Sequence, residues 1–345
     1  MALSVFYVGV LLLLALVGIR VLPKGNYEPL SPADSTGFKG LLCVAVLFHH
    51  FSGWIPDPNP VVYVFSHCGS YIVACFFFLS GYGLYKADSK KDISFPLVLR
   101  RLLRLLIPYW CCEILYLLAY FLFGIEPEIA VTPVNVLLSV FSAAHIVEFS
   151  WYVSAILVVY VLFFLCMKCV KKHAAVVLLI LLTGLFFVVP DLWGTFVAFP
   201  VGMLVAQYES EILRRFNRFP KRFAAYAVCV LLLGVCFFLK IRGQSMGSQL
   251  LMNASDAVGG IFFCLPVYIV LTKVKIGGKP AAFFGRISYE FYLLHGLCIR
   301  IAHRFFGVEQ ALAFIAVTFV LTTALSFAAA MVGERLTALS KKHRT

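Results

Sequence analysis

Charge is what this 345-residue chain has least of: Asp, Glu, Lys and Arg make up 13% of it, against 62% hydrophobic residues. A soluble domain carries about a quarter of its residues as charges, so a water-soluble fold is excluded. Acidic residues are the scarcer sign, 16 against 29 basic. No polar stretch is long enough to form a soluble domain of its own. No repeat with a period of roughly 20–50 residues is visible, and no half-to-half symmetry, which counts against a solenoid and against an inverted-repeat transporter. No basic residue precedes the first apolar run, and Arg20 and Lys24 follow it. A cleaved secretory signal has the reverse order, so a retained first helix is expected. The eleven cysteines fall mostly inside apolar runs, Cys111 and Cys112 side by side. Their spacing is neither a zinc site nor a disulfide framework, and small polarizable core residues are the expected use.

What is present is apolar sequence of membrane-spanning length, recurring along the whole chain. About eleven spans are expected, near 2–22, 38–55, 62–85, 102–123, 151–167, 174–189, 192–208, 222–241, 253–273, 281–302 and 310–333. The sixth and seventh are brief and split by Pro190 and Asp191. A further stretch, 134–147, is too short to span and is expected in the interface or re-entering. The fold class is therefore all-α, a polytopic helical membrane bundle. With the N-terminus outside, the basic groups Arg20/Lys24/Lys39, Lys86–Arg104, Lys168–Lys172, Arg214–Arg222, Lys273–Arg286 and Arg335–Arg344 all fall inside. Only Lys240, Arg242, Arg300 and Arg304 remain outside. This positive-inside pattern implies N-out/C-in. It explains the net charge of +13 as topology and argues against a nucleic-acid partner. The longest outer connection, roughly 124–150, carries Glu126, Glu128, His145 and Glu148 without Lys or Arg, and Pro56, Pro58 and Pro60 stiffen an earlier one.

Four constellations could carry chemistry. His49 and His50 are adjacent in an apolar helix read as starting at Lys39. Ionisable groups at membrane depth are costly and mark reaction sites or ion paths. His50 lies eleven residues, about 16 Å, beyond Lys39 along a helix, near or past mid-depth. A neutral imidazole suits proton removal from a hydroxyl near pH 7. The two rings point about 100° apart, so one of them faces any reacting atom; an interhelical packing bond is the plainer reading. Arg101 and Arg104 share a helix face at i and i+3. They form either a fork for phosphate oxygens or only a topology signal. Glu113, roughly 13 Å further along that helix, calls for a partner, and His50 or His295 could supply it. Last, Gly285-Arg286-Ile287-Ser288-Tyr289-Glu290-Phe291-Tyr292-Leu293-Leu294-His295 brings His295 to nearly the depth of His50. Arg286 and Glu290 read there as a structural i, i+4 pair. Ser80, Gly81 and Gly83 close the third span and suit close helix packing. Trp151 and Tyr152 are accounted for by an interfacial aromatic belt.

In this order the pieces resemble the acyltransferase 3 family of membrane O-acyltransferases. Lys39 and His50 stand as its basic residue and histidine on an early helix. Phe77-Phe78-Leu79-Ser80-Gly81 is similar to its aromatic-rich stretch, Arg101 to Arg104 before Ile107-Pro108-Tyr109-Trp110 to its arginine pair, and Gly285–His295 to its late segment. Lys39 stands where arginine is usual, which keeps the charge but loses the bidentate fork. No carboxylate follows Trp151 in Ala155-Ile156-Leu157, where many members have one.

The resemblance implies acyl-coenzyme A bound from the cytoplasm, with Lys39, Arg101 and Arg104 on its phosphates. His50 would be the catalytic histidine and no metal is implied; His295, by its depth, and Glu113, as a partner that could orient an imidazole, are added to the catalytic set from the residues themselves. The resemblance implies acyl transfer, acetyl in the first place, to a hydroxyl of an extracytoplasmic glycan by a multi-pass protein of a bacterial-type plasma membrane. Three regions are expected: 1–35 an extra helix and loop, 36–333 the acyltransferase-like membrane domain, and 334–345 a basic tail. The rival readings are a transporter or flippase using the histidines as a proton relay, and a sensor or assembly subunit that keeps the fold without the chemistry.

Overall fold

The computed structural model describes residues 2–23, 26–55, 59–125, 129–188, 194–216 and 219–342, with side chains except at 216–222 and 336–342. Lys24, Pro56, Pro58, Glu126, Glu128, Pro190, Asp191 and Arg344, on which parts of the sequence reading rest, lie outside the described residues. The chain is helical apart from one short ribbon. In order it runs α1 (Ala2–Leu16), β1 (Ile19–Val21), α2 (Pro32–Ser52), α3 (Pro60–Asp88), α4 (Phe95–Phe123), α5 (Pro133–Ser139), α6 (Trp151–Cys169) and α7 (Ala174–Val188). It continues with α8 (Ala198–Gln207), α9 (Glu209–Phe216), α10 (Phe219–Ser245), α11 (Gln249–Leu271), β2 (Val274–Ile276), α12 (Lys279–Arg286), α13 (Ser288–His303) and α14 (Ala311–Lys342).

Six segments are long and apolar enough to cross a membrane: Pro60–Asp88, Phe95–Phe123, Trp151–Val188, Phe223–Ser245, Gln249–Leu271 and Val308–Arg335. These six segments take in seven of the expected spans, because Trp151–Val188 covers both 151–167 and 174–189. The others fall short for visible reasons. α1 has 15 residues and α8 has 10, and α2 carries Asp34 and Lys39 in its first turns.

Helix boundaries follow from local chemistry that apolar periodicity does not register. α2 begins two turns before Lys39, correcting the start read from the sequence. The Ser31 side chain accepts from the Asp34 backbone N–H, and Asp34 accepts from the Ser31 N–H at 3.2 Å, a capping box with Pro32 in the first turn. The expected span 281–302 is two helices, α12 and α13, broken at Ile287. The segment expected to lie in the interface or re-enter is α5 plus an irregular stretch to Ser150, tucked into the bundle with Ser139, Ser142, Ile146, Val147, Glu148 and Ser150 all buried. Its backbone is fastened by Trp110 Nε1 donating to the Val140 carbonyl at 2.8 Å and Tyr120 Oη donating to the Ile146 carbonyl at 3.0 Å.

The ends of the bundle differ in character. At one, β1 pairs antiparallel with β2, Ile19 opposite Ile276. There Lys275 pairs with Asp34 at 3.4 Å, and buried Glu209 accepts from Tyr82 and Tyr268. At the other, Ser4 donates to Asn59 at 2.7 Å and the Trp54 and His303 rings meet at 4.8 Å. Three of the four basic residues expected outside lie toward this second end and are engaged. Lys240 pairs with buried Asp256 at 2.8 Å, Arg300 with buried Glu148, and Arg304 with the Phe123 carbonyl.

Small residues set the closest helix approaches. A Cβ at Gly81 would stand 2.0 Å from the Phe199 carbonyl oxygen, and one at Gly202 2.1 Å from the Phe78 carbonyl oxygen, so α3 and α8 touch backbone to backbone. A Cβ at Gly83 meets nothing within 4 Å. Gly81→Val is therefore expected to lower stability by about 1–3 kcal/mol or more through overpacking. Gly83→Ala should gain roughly 0.5–1 kcal/mol from backbone entropy. Thermal unfolding midpoints in detergent check both, and equal effects at the two sites would refute this account of the α3–α8 contact.

Candidate active site

α2 and α13 bring two imidazoles together. The His50 and His295 ring centroids lie 5.0 Å apart with the planes tilted by 33°. The third ring of the cluster is Phe149, stacked on His50 at 3.7 Å and lying 5.3 Å from His295 at 16°. Phe149 has a φ of +60°, in the left-handed region that β-carbon-bearing residues avoid at a cost of roughly 1–3 kcal/mol. Tyr292 holds it there, its hydroxyl donating to the Phe149 carbonyl, and the neighbouring Glu148 is gripped by Arg300. The same Tyr292 accepts at its own carbonyl from His295 Nδ1 at 2.5 Å. One tyrosine thus orients both the histidine and the aromatic ring. Nothing in the sequence singles out Phe149, because a backbone angle imposed by packing leaves no mark on composition.

The His49 ring, its centroid 4.6 Å from that of His50, is held toward α3. Its Nδ1 meets the Phe65 carbonyl at 2.8 Å, and its ring lies over Gly69, where an added Cβ would come within 2.2 Å of it. It packs against α3, while His50 faces Phe149 and His295.

A cavity of about 280 Å³ lies among α2, α3, α4, α6, α12 and α13. Lys39, Arg104 and Arg286 line it, together with Ser80, Glu290 and Tyr292. Tyr292 therefore belongs both to this cationic cavity and to the imidazole cluster. Lys39 reaches the cavity because α2 starts early: two helical turns behind it place it inside the bundle wall, not at the helix tip. Three cations around one cavity suit the oxygens of a phosphate-bearing ligand, the arginines by fork geometry and the lysine as a point charge.

Three sequence expectations change here. Arg101 and Arg104 do not act as one fork. Arg104 lines the cavity, whereas Arg101 is absent from its walls and pairs at 2.9 Å with the fully buried Asp88, whose same oxygen also accepts from Lys91 at 2.9 Å. The i, i+3 rule puts both arginines on one face but leaves open which carboxylate that face meets. Glu113 is buried and accepts from Ser139 Oγ, and among the described residues no hydrogen bond or ion pair joins it to His50 or His295. Its carboxylate fastens α5 to α4. Arg286 and Glu290, read as a structural pair, form no ion pair among the described residues. The break at Ile287 removes the i, i+4 register, and both side chains line the cavity instead. Arg286 is the cavity-lining cation that the sequence reading did not single out, and its sequence signal is its place in the late segment.

The profile of a family described as an acyltransferase domain matches residues 33–331. The chain belongs to the acyltransferase 3 family. No curated protein and no solved structure matches it. The matched residues begin inside the first turn of α2 and run into α14, so α1 and β1 precede the family region while every residue of the cavity and of the imidazole cluster lies within it. Membership identifies a membrane acyltransferase. In the late segment, Tyr289 ties α13 to the Leu105 carbonyl of α4 at 3.1 Å, and Tyr292 ties it to Phe149.

Proposed function

We propose that this acyltransferase passes an acyl group, acetyl in the first place, from acyl-coenzyme A to a hydroxyl of an extracytoplasmic glycan. The observation that carries this reading is the continuity through Tyr292 from the cationic cavity to the His50–His295 cluster. Lys39, Arg104 and Arg286 would bind the donor's phosphates. Acyl-coenzyme A supplies the thioester; the chain supplies charge at one end of the path and imidazole at the other. The ribbon end, which collects most of the basic groups, would face the cytoplasm of a bacterial-type plasma membrane, where coenzyme A thioesters are made. The donor chemistry fits the residues present: phosphates carry several charges, and the cations gathered at this cavity outnumber its one carboxylate, Glu290.

The deciding experiment is mass analysis of surface glycans from cells with and without this chain, paired with incorporation of labelled acetyl from acetyl-coenzyme A into membranes. Glycan esters that are unchanged by removal of the chain overturn the reading. A hydrogen bond to a charged group is worth about 1.5–3 kcal/mol. Arg104→Ala and Arg286→Ala are thus each expected to raise KM for acyl-coenzyme A by roughly tenfold or more, with kcat changed much less. Initial-rate kinetics in nanodiscs check this, and an unaltered KM in both variants removes them from the donor site.

A further inference from the structure

The two ring nitrogens of His295 have different surroundings. Nδ1 lies 2.5 Å from the Tyr292 carbonyl oxygen. A carbonyl only accepts, so Nδ1 carries the proton and, in the neutral ring, Nε2 keeps its lone pair. The residue is 1% exposed, and Nε2 is sealed from solvent with no hydrogen-bond partner. Buried polar atoms are almost always satisfied, so an orphaned acceptor in a site calls for a donor from outside the chain. His50 and Phe149 border the ring, and neither satisfies that lone pair. His50 differs: it is half-buried, and among the described residues no hydrogen bond fixes its tautomer.

We infer that His295 is the general base of the transfer, its Nε2 taking the proton from the acceptor hydroxyl. This rests on the acyltransferase reading above and divides the labour between the two imidazoles. As the acceptor O–H bond breaks toward Nε2, the oxygen forms the ester bond to the acyl carbon and the C–S bond of the thioester breaks. The proton then passes from the His295 imidazolium to the departing thiolate, His50 being the adjacent ring through which it travels, so that ester and thiol are the products. A preset lone pair on a ring locked by Tyr292 is the arrangement a base needs, because no tautomer change precedes proton removal.

The test uses the full chain in its own membranes, which hold the acceptor, with labelled acetyl-coenzyme A as donor. Hydroxylamine serves in parallel as an acceptor that attacks as a neutral amine and needs no base, its spontaneous reaction with the thioester being subtracted with matched membranes that lack the chain. In His295→Asn, whose amide nitrogen takes the place of Nδ1 toward the Tyr292 carbonyl while Nε2 is lost, alkali-labile ester is expected to fall roughly 10²- to 10⁴-fold. Acetyl hydroxamate should remain within a few-fold of wild type. Ester formed at the wild-type rate, or parallel loss of ester and hydroxamate, overturns the assignment. Nitrogen NMR of the ¹⁵N-labelled wild-type imidazole adds a readout that does not depend on the variant's folding: protonated Nδ1 with bare Nε2 is expected, and the opposite tautomer overturns it. Wild-type membranes that label neither acceptor overturn the acyltransferase reading itself, a failure distinct from the other two.

Discussion

Replacing His50 with alanine is expected to lower acyl transfer by roughly 10²- to 10⁴-fold, about 3–5 kcal/mol of barrier at 1.36 kcal/mol per tenfold. His50 is the half-buried imidazole stacked on Phe149 and 5.0 Å from His295. The loss should appear in kcat with KM for acyl-coenzyme A little changed, since the cations that line the donor cavity are untouched. Membrane level and thermal unfolding should match wild type, because the ring makes no hydrogen bond among the described residues that the fold depends on. His49→Ala supplies the contrast. That ring packs on Gly69 and the Phe65 carbonyl, so its removal should leave the rate within a few-fold while costing some stability. Glycan acetylation at the normal level in His50→Ala sinks the assignment of the reaction centre.

Arg101→Ala should behave in the opposite way to Arg104→Ala. Asp88 is fully buried and depends on Arg101 and Lys91, both at 2.9 Å on one oxygen. Removing one partner of a buried ion pair leaves an uncompensated charge and costs about 3–5 kcal/mol. The lower end is expected here, because Lys91 remains. The measurement is the unfolding midpoint in detergent together with the amount of protein reaching the membrane, both of which should fall. KM for acyl-coenzyme A in the surviving protein should stay within about twofold of wild type, because Arg101 is not among the residues that line the cavity. Asp88→Asn in the Arg101→Ala background removes the stranded charge and should restore most of the loss. A raised KM with an unchanged melting midpoint would instead return Arg101 to the donor site.

The apolar character of α3, α4, α10, α11 and α14 is legible in the sequence, since a helix in lipid must be hydrophobic over most of its length. The shared depth of His50 and His295 is legible too, by counting residues at 1.5 Å each from basic ends. Periodicity misses the features that depend on a few hydrogen bonds. The capping box that starts α2 at Pro32 lies in the polar stretch Ser31-Pro32-Ala33-Asp34-Ser35-Thr36, which an apolar pattern does not enter, and the break at Ile287 lies within an apolar run that continues across it. The three-residue strands β1 and β2 are too short to show a pattern, and they form only because distant segments meet.

The sequence by itself determined the class of molecule, the helices that carry histidine and cation, and the faces on which they lie, all consequences of composition and of the 3.6-residue turn. Only the tertiary structure decided the pairings. Arg101 goes to Asp88 while Arg104 and Arg286 share a cavity, Glu113 goes to Ser139 and not to an imidazole, and Phe149 comes to lie on His50. A helix repeat tells a side chain which way to point along its own axis. Which neighbour stands there is set by backbone contacts such as Gly81 against Phe199, between residues far apart in the chain, and no local rule contains that information.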